Sequence, residues 1–275
     1  MKPQTRMGVV LKVPKCQERI LAKESEVEYF LSHTHYTRLV DLKKLRFIFL
    51  AIRKYAFKHL TDLNKLMILE VACGKGGITL PLGSLGCYVR AFDINEKDIH
   101  LLKTKVNLEK IQNVIVSVDD GYAFEDGKYY DIIIASEVLE HVPDPVRFIE
   151  NISKRLRKGG YFIITVPNGF GPWELVNQFA GRLYHCNSIR RILGKAPYFK
   201  IPGAEHIQFY RRSQLLFFLS QFSLGLVGFS NSDSFFAVFG LFNKPSKKLE
   251  QIDIALADLL PHWCASGWYL LLKKE

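Results

Sequence analysis

The feature that most limits what this chain can fold into is a short apolar run entering a glycine-rich turn, Leu66-Met67-Ile68-Leu69-Glu70-Val71-Ala72-Cys73-Gly74-Lys75-Gly76-Gly77. An apolar run without alternation predicts a strand buried on both faces, and a parallel sheet covered by helices provides that setting. The same theme recurs downstream. A helix is predicted from about Gly76 to Leu85, a strand at Tyr88 to Phe92 ending in Asp93, and a helix from about Glu96 to Glu109. Strands at Val114 to Val118, Asp131 to Ala135 and Tyr161 to Val166 follow, with a helix over about Val146 to Leu156 between the last two. A helix near Ser213 to Phe222, a strand near Leu226 to Ser230 and a final strand at Trp268 to Leu272 complete the sheet. Strands alternating with helices at this spacing define an α/β fold built from βαβ units.

Two blocks break the alternation. Residues 168–210 and about 232–266 read as insertions, the first rich in Gly, Pro and aromatics. It leaves the fifth strand at its carboxyl end, where open α/β sheets bind ligands. Its Phe170, Trp173, Phe179, Tyr184, Tyr198 and Phe199 suit a cap over a pocket better than a solvated loop. Before the sheet, residues 1–15 read as a loose arm broken by Pro3, Gly8 and Pro14, and Gln17 to about Leu60 carries helical periodicity. The expected organisation is an N-terminal helical arm or cap over 1–64 and a main domain over 65–275.

The bulk numbers narrow the function classes. Charge is +11, from 38 Lys and Arg against 27 Asp and Glu. Such a balance serves nucleic acid, an anionic membrane surface, an acidic substrate, or a merely solvated surface. Cys16, Cys73, Cys87, Cys186 and Cys264 are scattered, with no C-x-x-C pair. A disulfide framework and a zinc cluster are thus disfavoured, no metal ligands are assigned, and a reducing cytoplasm is the expected location. The N-terminus has no apolar h-region, and no apolar run reaches the roughly 20 residues of a membrane span. The helix from Asp41 to Leu60 interleaves Lys43, Lys44, Arg46, Arg53, Lys54 and Lys58 with Phe47, Ile48, Phe49 and Ile52. That pattern suits peripheral contact with a membrane, or packing on the domain with the cations solvated. No aromatic-basic RNA module is evident, so nucleic acid is not an expected partner.

The turn itself is chemically informative. Gly74 and Gly76 lack a Cβ, so the backbone can pass close to a ligand, although a tight turn needs no ligand to exist. A Walker A loop is excluded, because Lys75 is followed by Gly76 instead of Ser or Thr. A dinucleotide fingerprint matches at Gly74 and Gly76 but meets Thr79 where its third glycine belongs. Asp93, at the end of the second strand, can accept hydrogen bonds from both hydroxyls of a ribose. The spacing Asp93 to Glu96 also fits a helix N-cap.

Read together, Ile68 to Gly76 resembles motif I of class I S-adenosylmethionine (SAM)-dependent methyltransferases, and Ala91-Phe92-Asp93-Ile94-Asn95-Glu96 resembles their motif II. Asp119-Asp120-Gly121 looks like their adenine loop. Glu137-Val138-Leu139-Glu140-His141-Val142-Pro143-Asp144-Pro145, followed by Leu156-Arg157-Lys158-Gly159-Gly160, is similar to the branch that includes ubiquinone-biosynthesis O-methyltransferases. These motifs span about Leu66 to Asn168. The resemblance implies a Rossmann-like, seven-stranded, mostly parallel sheet with helices on both faces, and SAM as methyl donor, leaving S-adenosylhomocysteine (SAH). It implies cofactor contacts from Glu70, Ala72, Gly74, Gly76, Asp93, Ile94, Asp119, Asp120, Ser136 and Glu137. One departure is Ala72, which stands where the motif has its first glycine.

Methyl transfer from a sulfonium needs positioning more than acid-base chemistry, except where the acceptor is a hydroxyl. His141 and His206 are the candidate acid-base or acceptor-positioning groups; His185 and His262 are further histidines, and His33, His35 and Tyr36 lie between two N-terminal helices. A lone histidine is more often structural. The function implied is methyl transfer to a small-molecule acceptor at oxygen. A non-catalytic SAM-binding or scaffold protein is the alternative, motivated by Ala72, and a nicotinamide-dependent oxidoreductase is a third reading.

Overall fold

The computed structural model describes residues 24–171, 206–234 and 247–275, apart from the side chain of Leu249. Trp173, Phe179, Tyr184, His185, Tyr198 and Phe199 of the expected cap lie outside the described residues, as does the loose arm.

Two helices come first among the described residues, α1 (Glu24–Ser32) and α2 (Leu39–Lys58). Then β1 (Met67–Val71), α3 (Thr79–Ser84), β2 (Tyr88–Asp93), α4 (Glu96–Leu108), β3 (Val114–Val118) and β4 (Tyr130–Ser136) alternate. The remainder is α5 (Pro145–Lys154), β5 (Leu156–Pro167), α6 (Arg212–Ser220), β6 (Leu224–Asn231), α7 (Lys247–Ala257) and β7 (Gly267–Lys274). The strands form one seven-stranded sheet in the order β3-β2-β1-β4-β5-β7-β6. β1 pairs in parallel with both β2 and β4, whereas β7 runs antiparallel between β5 and β6. The mostly parallel Rossmann-like sheet expected from the motifs is therefore present.

Period-two alternation sends successive residues of the central strands into different cores. Ile68, Ile132, Ile134 and Ile163 join one cluster with residues of α1, α2 and α4. Leu69, Ile133, Ala135, Phe162 and Ile164 join the other with Phe148, Ile149 and Ile152 of α5 and Leu215 and Leu219 of α6. Both faces are thus covered, which is why these strands read as unbroken apolar runs. The helical arm shares the first cluster through Val27, Phe30, Leu45, Ile48, Phe49 and Ile52.

The cations of α2 are largely occupied within the chain. Lys43 donates to the carbonyls of Ser232 and Ile254 and pairs with Asp258 at 3.0 Å. Arg46 pairs with Glu24 at 2.7 Å and Arg53 with Glu26 at 3.0 Å. No helix among the described residues is long and apolar enough to cross a membrane.

Strand order reverses between β2-β1 and β4-β5, so the crevice beyond the carboxyl ends of β1 and β4 is the topological switch point where such sheets hold ligands. One sequence expectation shifts here. The helix predicted from Gly76 begins only at Thr79, because Gly74 and Gly76 take φ values of 50° and 81°, outside the helical region. The backbone lining the crevice after β1 therefore belongs to a left-handed turn and not to a helix terminus.

Candidate functional site at the switch point

The turn after β1 is built from left-handed residues, Ala72 (φ 54°), Gly74 (φ 50°) and Gly76 (φ 81°). This backbone is easy for glycine and costs an alanine about 1–2 kcal/mol. The two glycines are small for different reasons. A Cβ on Gly74 would meet nothing within 4 Å, so its backbone faces open space, whereas one on Gly76 would collide with Leu102 of α4. Gly74 exposes the turn and Gly76 packs it.

Asp93 ties β2 to this turn. Its Oδ2 accepts from the Gly74 N–H at 2.8 Å and its Oδ1 from the Asn95 N–H at 2.9 Å. Each carboxylate oxygen retains a lone pair for a further donor. The cap of α4 is Asn95, which accepts from Lys97 and Asp98 at 3.1 and 3.3 Å. The capping role that the sequence also offered Asp93 is thus filled by a neighbour. Ile94 stands next to it, 73% exposed, at the mouth of the crevice.

Glu70 lies beneath the turn. It is 3% exposed and accepts from the Thr79 hydroxyl at the start of α3. Burial pushes its carboxyl up to about 8, opposed by the Thr79 hydrogen bond, assisted by the Asp93 charge and opposed by Lys44. Its position is that of a support for the turn.

The remaining predicted cofactor residues separate into two kinds. Asp119 pairs with Arg90 at 2.9 Å and accepts from Ser117, while its own N–H donates to the Asp93 carbonyl at 3.2 Å. Its carboxylate is committed to the sheet. Asp120 is exposed and closes the next turn by accepting from Tyr122 N–H at 2.9 Å. At the end of β4, Glu137 takes φ 55° and is exposed. Buried Thr165 of β5 holds it there. The Thr165 hydroxyl donates to Glu137 Oε1 at 2.7 Å and lies 2.9 Å from the Ser136 hydroxyl. Thr165 escaped the sequence reading because a threonine inside an apolar strand carries no motif.

The two candidate histidines come together although they are far apart in sequence. The His141 and His206 rings are 5.0 Å apart, and His141 Nε2 is 3.9 Å from Oε1 of fully buried Glu140. The ligand atoms of Glu140, His141 and His206 lie within 4.8 Å of one another, close enough for a metal ion, so the absence of metal ligands read from the sequence does not follow from the fold. The N–H groups of Ile207 and Gln208 donate to the Glu140 carbonyl at 2.8 and 3.0 Å. The far end of the first insertion is thereby anchored beside β4. Its near end is fixed by Asn168 N–H, which donates to the Ser266 carbonyl at 2.8 Å. Among the lower-ranked histidines, His262 lies in the short turn before β7, where burial and Arg212 lower its pKa.

The loop between α1 and α2 also reaches this crevice. The Thr34 hydroxyl donates to the Gly77 carbonyl at 2.8 Å, and the Tyr36 ring packs against Gly77. His35 is exposed, and burial together with Lys105 and Lys75 lowers its pKa.

Comparison with known proteins adds the following. A family model described as a methyltransferase domain matches residues 33–223. A ubiquinone biosynthesis O-methyltransferase from Rickettsia typhi is 35% identical over 115 residues, covering 40% of this chain and 44% of that protein. The same-named protein of Aliivibrio fischeri strain MJ11 is 25% identical over 175 residues, covering 62% and 68%. The chain therefore spans about half the length of the first of these relatives. Among solved structures, magnesium protoporphyrin IX methyltransferase from Synechocystis PCC 6803 with bound SAH superposes with a TM-score of 0.52 at 14% identity. That match covers 95% of this chain and 98% of the other, and shows a shared fold.

Proposed function

The chain belongs to the methyltransferase domain family, and from that premise we propose that it transfers a methyl group from SAM to a hydroxyl of a small-molecule acceptor. The observation that carries this reading is the Asp93 carboxylate. It is anchored on the Gly74 N–H at 2.8 Å beside an open left-handed turn at the switch point, where a ribose would meet it. Ala72, Gly74 and Gly76 carry the turn along the donor's amino-acid end, with Glu70 supporting it from below. Ile94 and Asp120, both exposed, border the adenine, while Asp119 reaches it only through the backbone. Ser136 and Glu137 form the rim toward the acceptor.

Bound SAM supplies a methyl group already activated on a positively charged sulfur. The protein's task is to hold the acceptor oxygen in line and to take its proton. His141 fits that second role. Its ring is exposed beside the end of β4, with the Glu140 carboxylate 3.9 Å behind to stabilise the imidazolium. His206 packs against it from the far end of the insertion. Oxygen as the accepting atom rests on this pair and on the O-methyltransferase names of the relatives. Both described ends of the insertion are tied to the carboxyl edge, which supports a reading of the insertion, with the N-terminal helices, as the acceptor lid.

The test is transfer of labelled methyl from SAM to a panel of phenols, catechols and aliphatic alcohols. Labelled product is expected, and His141→Gln should cut turnover about 10²–10³-fold while leaving SAH affinity unchanged. SAH binding with no transfer to any of them would select the non-catalytic alternative.

A further inference from the structure

The segment joining α1 to α2 has no role in the motifs, yet it is fastened to the most sensitive part of the crevice. Thr34 anchors it, donating to the Gly77 carbonyl at 2.8 Å and accepting from the Tyr36 N–H at 3.2 Å. These two bonds set the backbone so that Tyr36 projects onto the glycine turn. The ring has two close neighbours. Gly77 lies against its phenol end, where a Cβ would overlap the ring and sit 2.6 Å from the phenol oxygen. The buried Lys44 ammonium stands 5.6 Å from the ring centroid, itself 3.7 Å from Asp41. Gly77 has no positive φ and therefore no conformational need for glycine. Its missing side chain is the space that Tyr36 fills.

The phenol lies against Gly77 at the glycine turn. Glu70, Asp41 and Glu137 are the carboxylates that act on it most strongly, after burial, and all of them raise its pKa. It is therefore a neutral O–H donor at physiological pH. Glu70 is beneath the turn, and Glu137 is on the rim at the end of β4.

We propose that Tyr36 contacts the methyl donor, closing the amino-acid end of its pocket with the phenol O–H, and that Thr34 and Gly77 form the latch that holds it there. The inference rests on the methyltransferase reading above and adds a residue to its binding machinery. The donor's carboxylate is an acceptor that such an O–H could meet, while Thr79 and Thr165 hold the side chains of Glu70 and Glu137. The α1–α2 segment thereby joins the helical arm to the cofactor site.

The experiment is calorimetric titration of the full-length chain with SAH for wild type, Tyr36→Phe, Tyr36→Ala and Gly77→Ala, each with its melting temperature. Tyr36→Phe keeps the ring and should lose about tenfold in SAH affinity with an unchanged melting temperature. Gly77→Ala displaces the ring and should lose at least as much, and combining it with Tyr36→Ala should add nothing to either alone. Full affinity in Tyr36→Phe, or losses that follow melting temperature instead of the hydroxyl, would overturn the latch. Wild type that fails to bind SAH would instead remove the methyl-donor reading, and the latch with it, so the two failures are distinct.

Discussion

The two halves of the sheet are built to different standards of explicitness. On the β1-β2-β3 side, the features carried by the sequence motifs are local. A turn follows a strand, an aspartate ends the next strand, and one hydrogen bond of 2.8 Å joins them. On the β4-β5-β7-β6 side, features are assembled from distant segments. His141 meets His206 across an insertion, and Thr165 of one strand holds Glu137 of another. In the proposed function the first half would hold the methyl donor and the second the acceptor. Local construction preserves a fixed task, and long-range construction lets loops change specificity on a constant scaffold.

Breaking the first half should have the largest effect. Asp93→Ala removes the ribose acceptor and also frees the Gly74 N–H, and should weaken SAH binding about 100-fold or more by calorimetry. Gly76→Ala forces a side chain into Leu102 at φ 81°, and should destabilise the fold by about 2–4 kcal/mol in a denaturant titration. On the acceptor side, Trp173→Ala and Tyr198→Ala should raise the acceptor KM several-fold while SAH affinity stays within about twofold. If both variants kept wild-type acceptor kinetics, the insertion would be a structural cap only.

A pH series sharpens the contrast from beneath the turn. Glu70 has its folded carboxyl pushed up to about 8, above its ordinary value of 4.5. Below 4.5 both folded and unfolded states carry the proton. Between 4.5 and 8 the unfolded chain releases it while the folded chain retains it, so stability falls as pH rises and levels off above 8. Glu70→Gln should remove this slope, and an unchanged slope would show that Glu70 ionises freely in the fold.

The smallest effect concerns Ala72. At φ 54° its Cβ is strained, so Ala72→Gly should raise stability by about 1 kcal/mol, or about 2–4 °C in melting temperature, without loss of SAH affinity. A lower melting temperature would mean that the methyl group makes a compensating contact.

Legibility in the sequence followed the same division. The parallel strands, the glycine turn and Asp93 were all readable because their signals lie within a few residues: unbroken apolar runs, missing side chains and a strand-end acid. The start of α3 was placed too early because helical periodicity carries no mark of the left-handed φ at Gly76. Glu70 read as a ligand contact, but only the fold shows its carboxylate turned under to Thr79. Asp119 likewise read as an adenine contact, although Arg90 holds its carboxylate in the sheet. The approach of His206 to His141, and of Tyr36 to Gly77, depends on tertiary packing between segments that share no local pattern.

The central claim is that the crevice at the switch point is shaped for a methyl donor and not for a dinucleotide. Calorimetric titration of the full-length chain with SAH and with NAD, under identical conditions, tests it most directly. The account predicts single-site SAH binding with a Kd in roughly the micromolar range, about −8 kcal/mol, and no measurable heat from NAD. Binding of NAD with indifference to SAH would contradict it.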